Sequence, residues 1–305
     1  MTEKHKEPAV ENMGFGNKVS ARTRLVNDDG SFNIQRVGGE AAKPFEHLVN
    51  LPLSLFVLEL LAVFLLLNAL FATFYFGHGI EHLSGKPSGG WQDFLHCYYF
   101  SVQTFTTVGY GYLNPQDHFT NIVSSFNSLI GLTCYALGTG LLIFRLSKAP
   151  VKIRFADRVV LSPYGDQKSL QLRLVNAGTN TLINMEASLN MTWLEVVEGQ
   201  RRRKFQRLHL ELDFIYLFPL NWTLIHIIDD KSPFYHKSLE DLKEQTAELL
   251  VMVRGYDDTY DQFIYKNHSY CIENVSENEV FLPMYESKED KTLLYIQKLN
   301  DTKKV

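Results

Sequence analysis

Thr107, Val108, Gly109, Tyr110 and Gly111 follow one another without interruption, and the chemistry they offer lies in their main chain. A bare cation can be held by carbonyl oxygens that stand in for its water shell. Glycine at 109 and 111 tolerates positive φ, which lets successive carbonyls face the same way. One chain supplies a single column of oxygens, and four copies around a four-fold axis would close each level into a ring. The Thr107 hydroxyl would add a ring at the inner end, while Val108 and Tyr110 turn away and brace the column. The sequence has no metal-ligand spacing, no nucleophile beside its base and no phosphate-cradling loop. The expected chemistry is therefore the passage of an ion, and no enzyme activity or cofactor is expected.

Such a column needs walls. Residues 52–76 and 119–146 are apolar enough to span a membrane, since a helix of about 24 residues covers roughly 36 Å against a hydrocarbon core near 30 Å. The first carries Glu59, near one end, and Asn68; the second is interrupted by Gly131, Gly138 and Gly140. Residues 77–90 read as a glycine-rich loop. Residues 91–107 are amphipathic and aromatic but too short to cross, so they read as a re-entrant pore helix whose C-terminal dipole favours a cation beyond it. Irregular backbone at membrane depth is tolerated only inside protein or pore water. Residues 43–51, with Phe45, Leu48, Val49 and Leu51 at helical spacing, read as a surface-lying amphipathic helix or as the first turn of the span.

The 305-residue chain has a net charge of −4, which gives no reason to expect nucleic acid as a partner. Cys97, Cys134 and Cys271 form no disulfide framework. Residues 1–42 read as a polar tail without a secretory signal, holding a hairpin in which Asp28, Asp29 and Gly30 turn between Arg22–Val26 and Phe32–Ile34. Lys86 is the only Lys or Arg between the spans, whereas Arg36 and Lys43 precede the first and Arg145, Lys148, Lys152 and Arg154 follow the second. That asymmetry predicts that both termini are cytoplasmic. Residues 148–305 read as a β-sandwich. Leu170, Leu172 and Leu174 alternate with polar residues, as do Leu208, Leu210 and Leu212, and turn signals separate the runs. One short helix is expected at 238–245, capped by Ser238 with Asp241.

Phe100, Ser101, Val102 and Gln103, the 107–111 run, Gly138 to Leu141 and the stretch from Asn221 to Asp229 together resemble the inward-rectifier potassium channel family, especially its prokaryotic members. The likeness covers residues 36–285. It implies a homotetramer in the cell membrane with two transmembrane helices, a re-entrant pore helix and filter, and a cytoplasmic immunoglobulin-like β-sandwich. K+ would bind at Thr107, Val108, Gly109 and Tyr110. Gly131 matches a gating hinge, Tyr135 the cavity position where strong rectifiers place an acid, and Ile143 the constriction at the helix crossing. Glu186 and Asp258 match cytoplasmic acids that attract Mg2+ or polyamines, and residues 255–262, with Gly255 and Asp257, match the loop around the cytoplasmic pore. Arg145 and Lys148 match contacts to anionic lipid. Ba2+ is an expected blocker. Gating by motion of the cytoplasmic domain and the inner helix is implied. Gln103 and Leu113 stand where many members have Glu and Arg, so neither half of that ion pair is present. Pro150 and Val151 interrupt a basic cluster of eukaryotic members, and no arginine-rich voltage-sensing span precedes the pore.

Other readings stay open beside these. Gly131 serves equally well for close helix packing. Asp257, Asp258 and Asp261 form either a solvated turn or, in four copies, an acidic ring. Arg201, Arg202, Arg203 and Lys204 read as a solvated loop, and His226 as a structural histidine. Sequons at Asn190, Asn221, Asn267 and Asn274 are expected to stay unmodified in the cytoplasm. Two alternative functions remain: a weakly selective cation channel, or a membrane-anchored receptor that no longer conducts.

Overall fold

The computed structural model describes residues 24–27, 30–35, 37–38, 44–86, 88–148, 150–197 and 199–305. Arg22, Thr23, Asp28, Asp29, Arg36 and Lys43, which the sequence singles out for a hairpin and for membrane orientation, lie outside them. The chain divides into two compact units. One holds residues 38–148, and the other holds residues 1–37 together with 149–305.

The first unit is helical. A short helix α1 (Pro44–Asn50) precedes α2 (Leu53–His78), α3 (Trp91–Phe105) and α4 (His118–Leu146). With 26 and 29 residues, α2 and α4 reach ~39 and ~44 Å, enough to span a bilayer. Leu53, Leu58, Leu66, Ile122, Leu129 and Leu137 are exposed along them. A soluble core helix would hide such residues, so this apolar surface suits lipid. Pro52 precedes α2, where its missing N–H costs nothing. Asp117 begins α4 by accepting the Thr120 N–H at 2.7 Å. Helix α4 runs through glycines 131, 138 and 140 without a break. Phe71, Ala72, Tyr75, Ile80, Leu83, Cys97, Phe100 and Leu113 form the buried cluster of this unit.

The second unit is a sandwich of two five-stranded sheets. Its strands in chain order are β1 (Ile153–Phe155), β2 (Val159–Tyr164), β3 (Gln167–Asn176), β4 (Leu182–Val197), β5 (Gln200–Leu208), β6 (Phe214–Leu217), β7 (Asn221–Ile227), β8 (Glu248–Asp257), β9 (Gln262–Cys271), β10 (Val275–Glu277), β11 (Glu279–Phe281), β12 (Tyr285–Lys288), β13 (Lys291–Leu294) and β14 (Thr302–Lys304). One sheet runs β1-β3-β2-β10 with β7 on β3; the other runs β5-β4-β8-β9 with β6 on β4. Leu172 faces Leu224 and Leu174 faces Trp222 across β3 and β7, while Leu189 faces Val251 and Met191 faces Leu249 across β4 and β8. All eight belong to the core between the sheets. Helix α5 (Leu239–Glu244) opens with a reciprocal cap between Ser238 and Asp241.

The sandwich departs from two expectations. Residues 209–213 are not strand. Strands β5 and β6 lie end to end along one edge of β4, and the chain leaves that ladder between them, with the Glu211 N–H donating to the Ile225 carbonyl of β7 instead. The basic run at 201–204 is part of β5 and not a loop. Arg203 is buried, with its guanidinium 3.9 Å from the Glu248 carboxylate. That carboxylate also accepts the Leu25 N–H at 3.0 Å and so helps to fix the N-terminal segment on this unit.

Candidate functional site

Helix α3 ends at Phe105, and the following residues turn back on Gln103. The Val108 and Gly109 N–H groups donate to the Gln103 main-chain carbonyl at 2.8 and 3.3 Å. The Tyr110 N–H donates to Gln103 Oε1 at 3.1 Å. In a trans peptide the carbonyl points opposite to the N–H. The three carbonyls paired with these N–H groups, those of Thr107, Val108 and Gly109, therefore point away from Gln103. The backbone achieves this by alternation. Thr107, Gly109 and Gly111 have φ of +59, +56 and +80°, while Val108 and Tyr110 between them do not take positive φ. Alternate hands of this kind gather N–H groups on one side of a segment and carbonyls on the other. Glycine accepts the left-handed region freely; threonine at 107 takes it at a steric cost. Along this segment the side chains stay open in the single chain, with Val108 54% and Tyr110 83% exposed.

Behind the segment sits a buried polar cluster that the sequence pattern did not reveal. Ser101 on α3 donates to Asn68 Oδ1 on α2 at 2.8 Å. Asn127 on α4 donates to the Ser101 carbonyl at 3.3 Å and lies 3.3 Å from the Tyr75 hydroxyl. Three helices are thus joined by polar groups where lipid offers no alternative partner. Gly131 fits the same junction. A Cβ there would fall on the Phe105 carbonyl at the end of α3, so a close approach of α4 requires this glycine. Leu113 is buried in the apolar cluster. The Gln103 amide, 9% exposed, faces the segment without a charge.

Tyr135 and Ile143, on α4, are exposed in the single chain at 75 and 60%. Arg145 is turned onto its own chain. Its guanidinium donates to the carbonyls of Leu48, Val49 and Leu51 at the end of α1 and lies 4.7 Å from the Phe56 ring centre. Lys148 is exposed, with its ammonium 5.3 Å from the Phe144 ring centre. His47 of α1 lies 3.7 Å from Glu59 of α2. In the sandwich, Glu186 pairs with Arg254 at 2.5 Å. Asp258 is exposed. Asp257 differs from the expectation of a pore-facing acid, being fully buried. It accepts the Thr259 and Tyr260 N–H groups at 3.0 and 3.2 Å and a hydrogen bond from Asn180, so it shapes the turn that Asp258 occupies. In the same turn the Tyr256 hydroxyl donates to Asp261, and that carboxylate pushes the phenol above its ordinary pKa. A Cβ on Gly255 would displace the end of the Met185 side chain and crowd the Ile183 carbonyl.

Residues 60–148 match the family described as "Ion channel", and residues 153–305 match "Inward rectifier potassium channel C-terminal domain". The chain is 30% identical over 269 residues to inward rectifier potassium channel Kirbac3.1 of Paramagnetospirillum magnetotacticum, covering 86% of this chain and 90% of that one. The chain belongs to the inward-rectifier potassium channel family. It is a potassium channel and not an enzyme. It is 23% identical to G protein-activated inward rectifier potassium channel 1 of Gallus gallus, over 88% of this chain but only 60% of that longer protein. Its identity to G protein-activated inward rectifier potassium channel 3 of Mus musculus is also 23%, over 83% of this chain. Among solved structures, sporulation control protein Spo0M of Bacillus subtilis overlaps 41% of this chain and 48% of its own at 12% identity, with a TM-score of 0.23, too slight a likeness to bear on the fold.

As an inward-rectifier channel, the chain has two membrane-spanning helices followed by a β-rich domain. The buried Gln103 amide supplies the acceptor that the Tyr110 N–H needs without placing a charge there.

Proposed function

We propose that four copies of this chain assemble around one axis and pass K+ between the carbonyl oxygens of Thr107, Val108, Gly109 and Tyr110, with the Thr107 hydroxyl forming the innermost ring. The observation that carries this reading is the turning of three successive N–H groups onto Gln103, with their carbonyls aimed the other way. A dehydrated cation then meets a ladder of oxygens fixed before it arrives, which offsets the cost of dehydration. The carbonyl end of α3, directly before the ladder, adds a negative pole toward the cavity.

Tyr135 faces the cavity and, being neutral, attracts blocking cations weakly. Ile143 narrows the exit, and motion of α4 opens it. Asp258, and Glu186 within its pair with Arg254, draw Mg2+ and polyamines toward the conduction path. Anionic lipid meets Lys148, while Arg145 chiefly ties α1 to α4. The channel sits in the cell membrane with both chain ends on the cytoplasmic side, as the scarcity of Lys and Arg between the spans indicates. Flux from purified protein in liposomes tests the reading. Uptake driven by a K+ gradient and stopped by Ba2+ supports it; liposomes no leakier than protein-free ones reject it.

A further inference from the structure

Beyond the conduction path, α2 and α4 meet at a second chemical cluster. Gly79, at φ +111°, ends α2 and turns the chain into a short 3-10 helix, Ile80–Leu83. That turn brings His82 back beside His78, with ring centres 4.2 Å apart. Asp117 approaches from the start of α4. Its Oδ1 caps the helix on the Thr120 N–H, which leaves Oδ2 to face His78 Nε2 at 2.6 Å and His82 Nδ1 at 2.9 Å. One donor atom from each residue falls within 4.8 Å of the other two. The side chains are 32, 39 and 32% exposed for His78, His82 and Asp117, so an ion and a water molecule can reach them.

The surrounding backbone is fixed. The Gln116 N–H donates to the His82 carbonyl at 2.9 Å and the Asn114 N–H to the Leu83 carbonyl at 3.2 Å. The His78 ring also packs on Phe119 at 4.6 Å. We propose that His78, His82 and Asp117 bind a divalent transition-metal ion of the Zn2+ type, with water in the fourth position. Two imidazoles and one carboxylate are a donor set that Zn2+ takes, whereas Ca2+ and Mg2+ ask for oxygen alone. Ligands on tetrahedral Zn2+ stand roughly 3.3 Å apart, so the three side chains need only small rotations to admit the ion. Neutral imidazoles present the required lone pairs by moving their proton to the other ring nitrogen, without net proton loss. The bound ion would tie the end of α2 to the first turn of α4, across the segment 112–117 that joins the 107–111 run to α4. This site does not depend on how that run acts.

The test uses the full chain, purified in detergent and stripped of metal with chelator. Titration calorimetry with Zn2+ is expected to give one ion per chain, and Co2+ in its place a four-coordinate visible spectrum. Asp117→Asn keeps a helix cap but loses the charged ligand. It and His82→Gln should each weaken Zn2+ by at least ~10-fold. Acylation of histidines, read by mass spectrometry on the unaltered protein, should show His78 and His82 protected by Zn2+. The proposal is overturned if those two histidines react equally with and without Zn2+, or if neither substitution changes the affinity.

Discussion

Gln103 holds three consecutive N–H groups with two oxygens, one from its backbone and one from its side chain. Replacing it with leucine keeps the main-chain acceptor and removes only the one at Tyr110. The orphaned N–H costs about 1–3 kcal/mol, and the Gly109 carbonyl, which belongs to the same peptide, loses its anchor. Gln103→Leu is therefore expected to lower the K+ over Na+ permeability ratio while leaving the protein folded, as single-channel reversal potentials would show. Gly131 gives a second residue-scale outcome. Because its Cβ would meet a main-chain carbonyl and not a yielding side chain, Gly131→Ala should destabilise the assembled protein by about 1–3 kcal/mol. A thermal midpoint in detergent would detect this, and an unchanged midpoint would favour a hinge role over close packing. The glycines at 109 and 111 were legible in the sequence because positive φ is a property of residue type. The positive φ of Thr107 was not, since only the turn onto Gln103 imposes it.

At the scale of elements, α2, α3 and α4 are joined by a polar cluster at Asn68, Ser101 and Asn127. Hydrogen bonds between membrane helices are worth ~0.6 kcal/mol on average by double-mutant cycles. Ser101→Ala combined with Asn68→Leu should show coupling of that order in stability, and strict additivity would mean that the two do not cooperate. The spans could be read from the sequence because runs of that length and apolarity match the thickness of a bilayer's hydrocarbon core. The polar cluster could not, because its members stand 26 and 33 positions apart and meet only when the helices pack. The same holds for His78, His82 and Asp117, whose carboxylate comes from the far side of a 34-residue excursion between Leu83 and His118. In the sandwich, strict alternation exposed β3, but it misled at 209–213, where the path of the neighbouring strand overrides the pattern.

For the whole molecule, the sandwich holds a buried histidine whose titration links stability to pH. His226 lies in the sandwich, where burial lowers its pKa below the ordinary 6.5. Its Nδ1 faces the His209 carbonyl at 2.8 Å and its Nε2 the Ser232 hydroxyl at 2.9 Å, partners that suit a neutral ring. The unfolded chain therefore binds a proton more readily than the folded one. The histidine's contribution is complete above pH 6.5 and is lost as pH falls toward the lowered value, by up to ~1.4 kcal/mol per pH unit. Thermal midpoints of the unaltered protein and of His226→Gln, compared between pH 7.5 and 5, should converge as pH falls; a difference that stays constant would exclude His226 as a source of acid sensitivity.

In the proposed pore, selectivity depends on the carbonyl ladder directly. Purified channel in a planar bilayer, with K+ on one side and Na+ on the other, gives that selectivity as a reversal potential. A large potential of the sign set by K+ permeation is expected of a carbonyl-lined filter. A reversal near zero, with Na+ crossing as readily as K+, would contradict it.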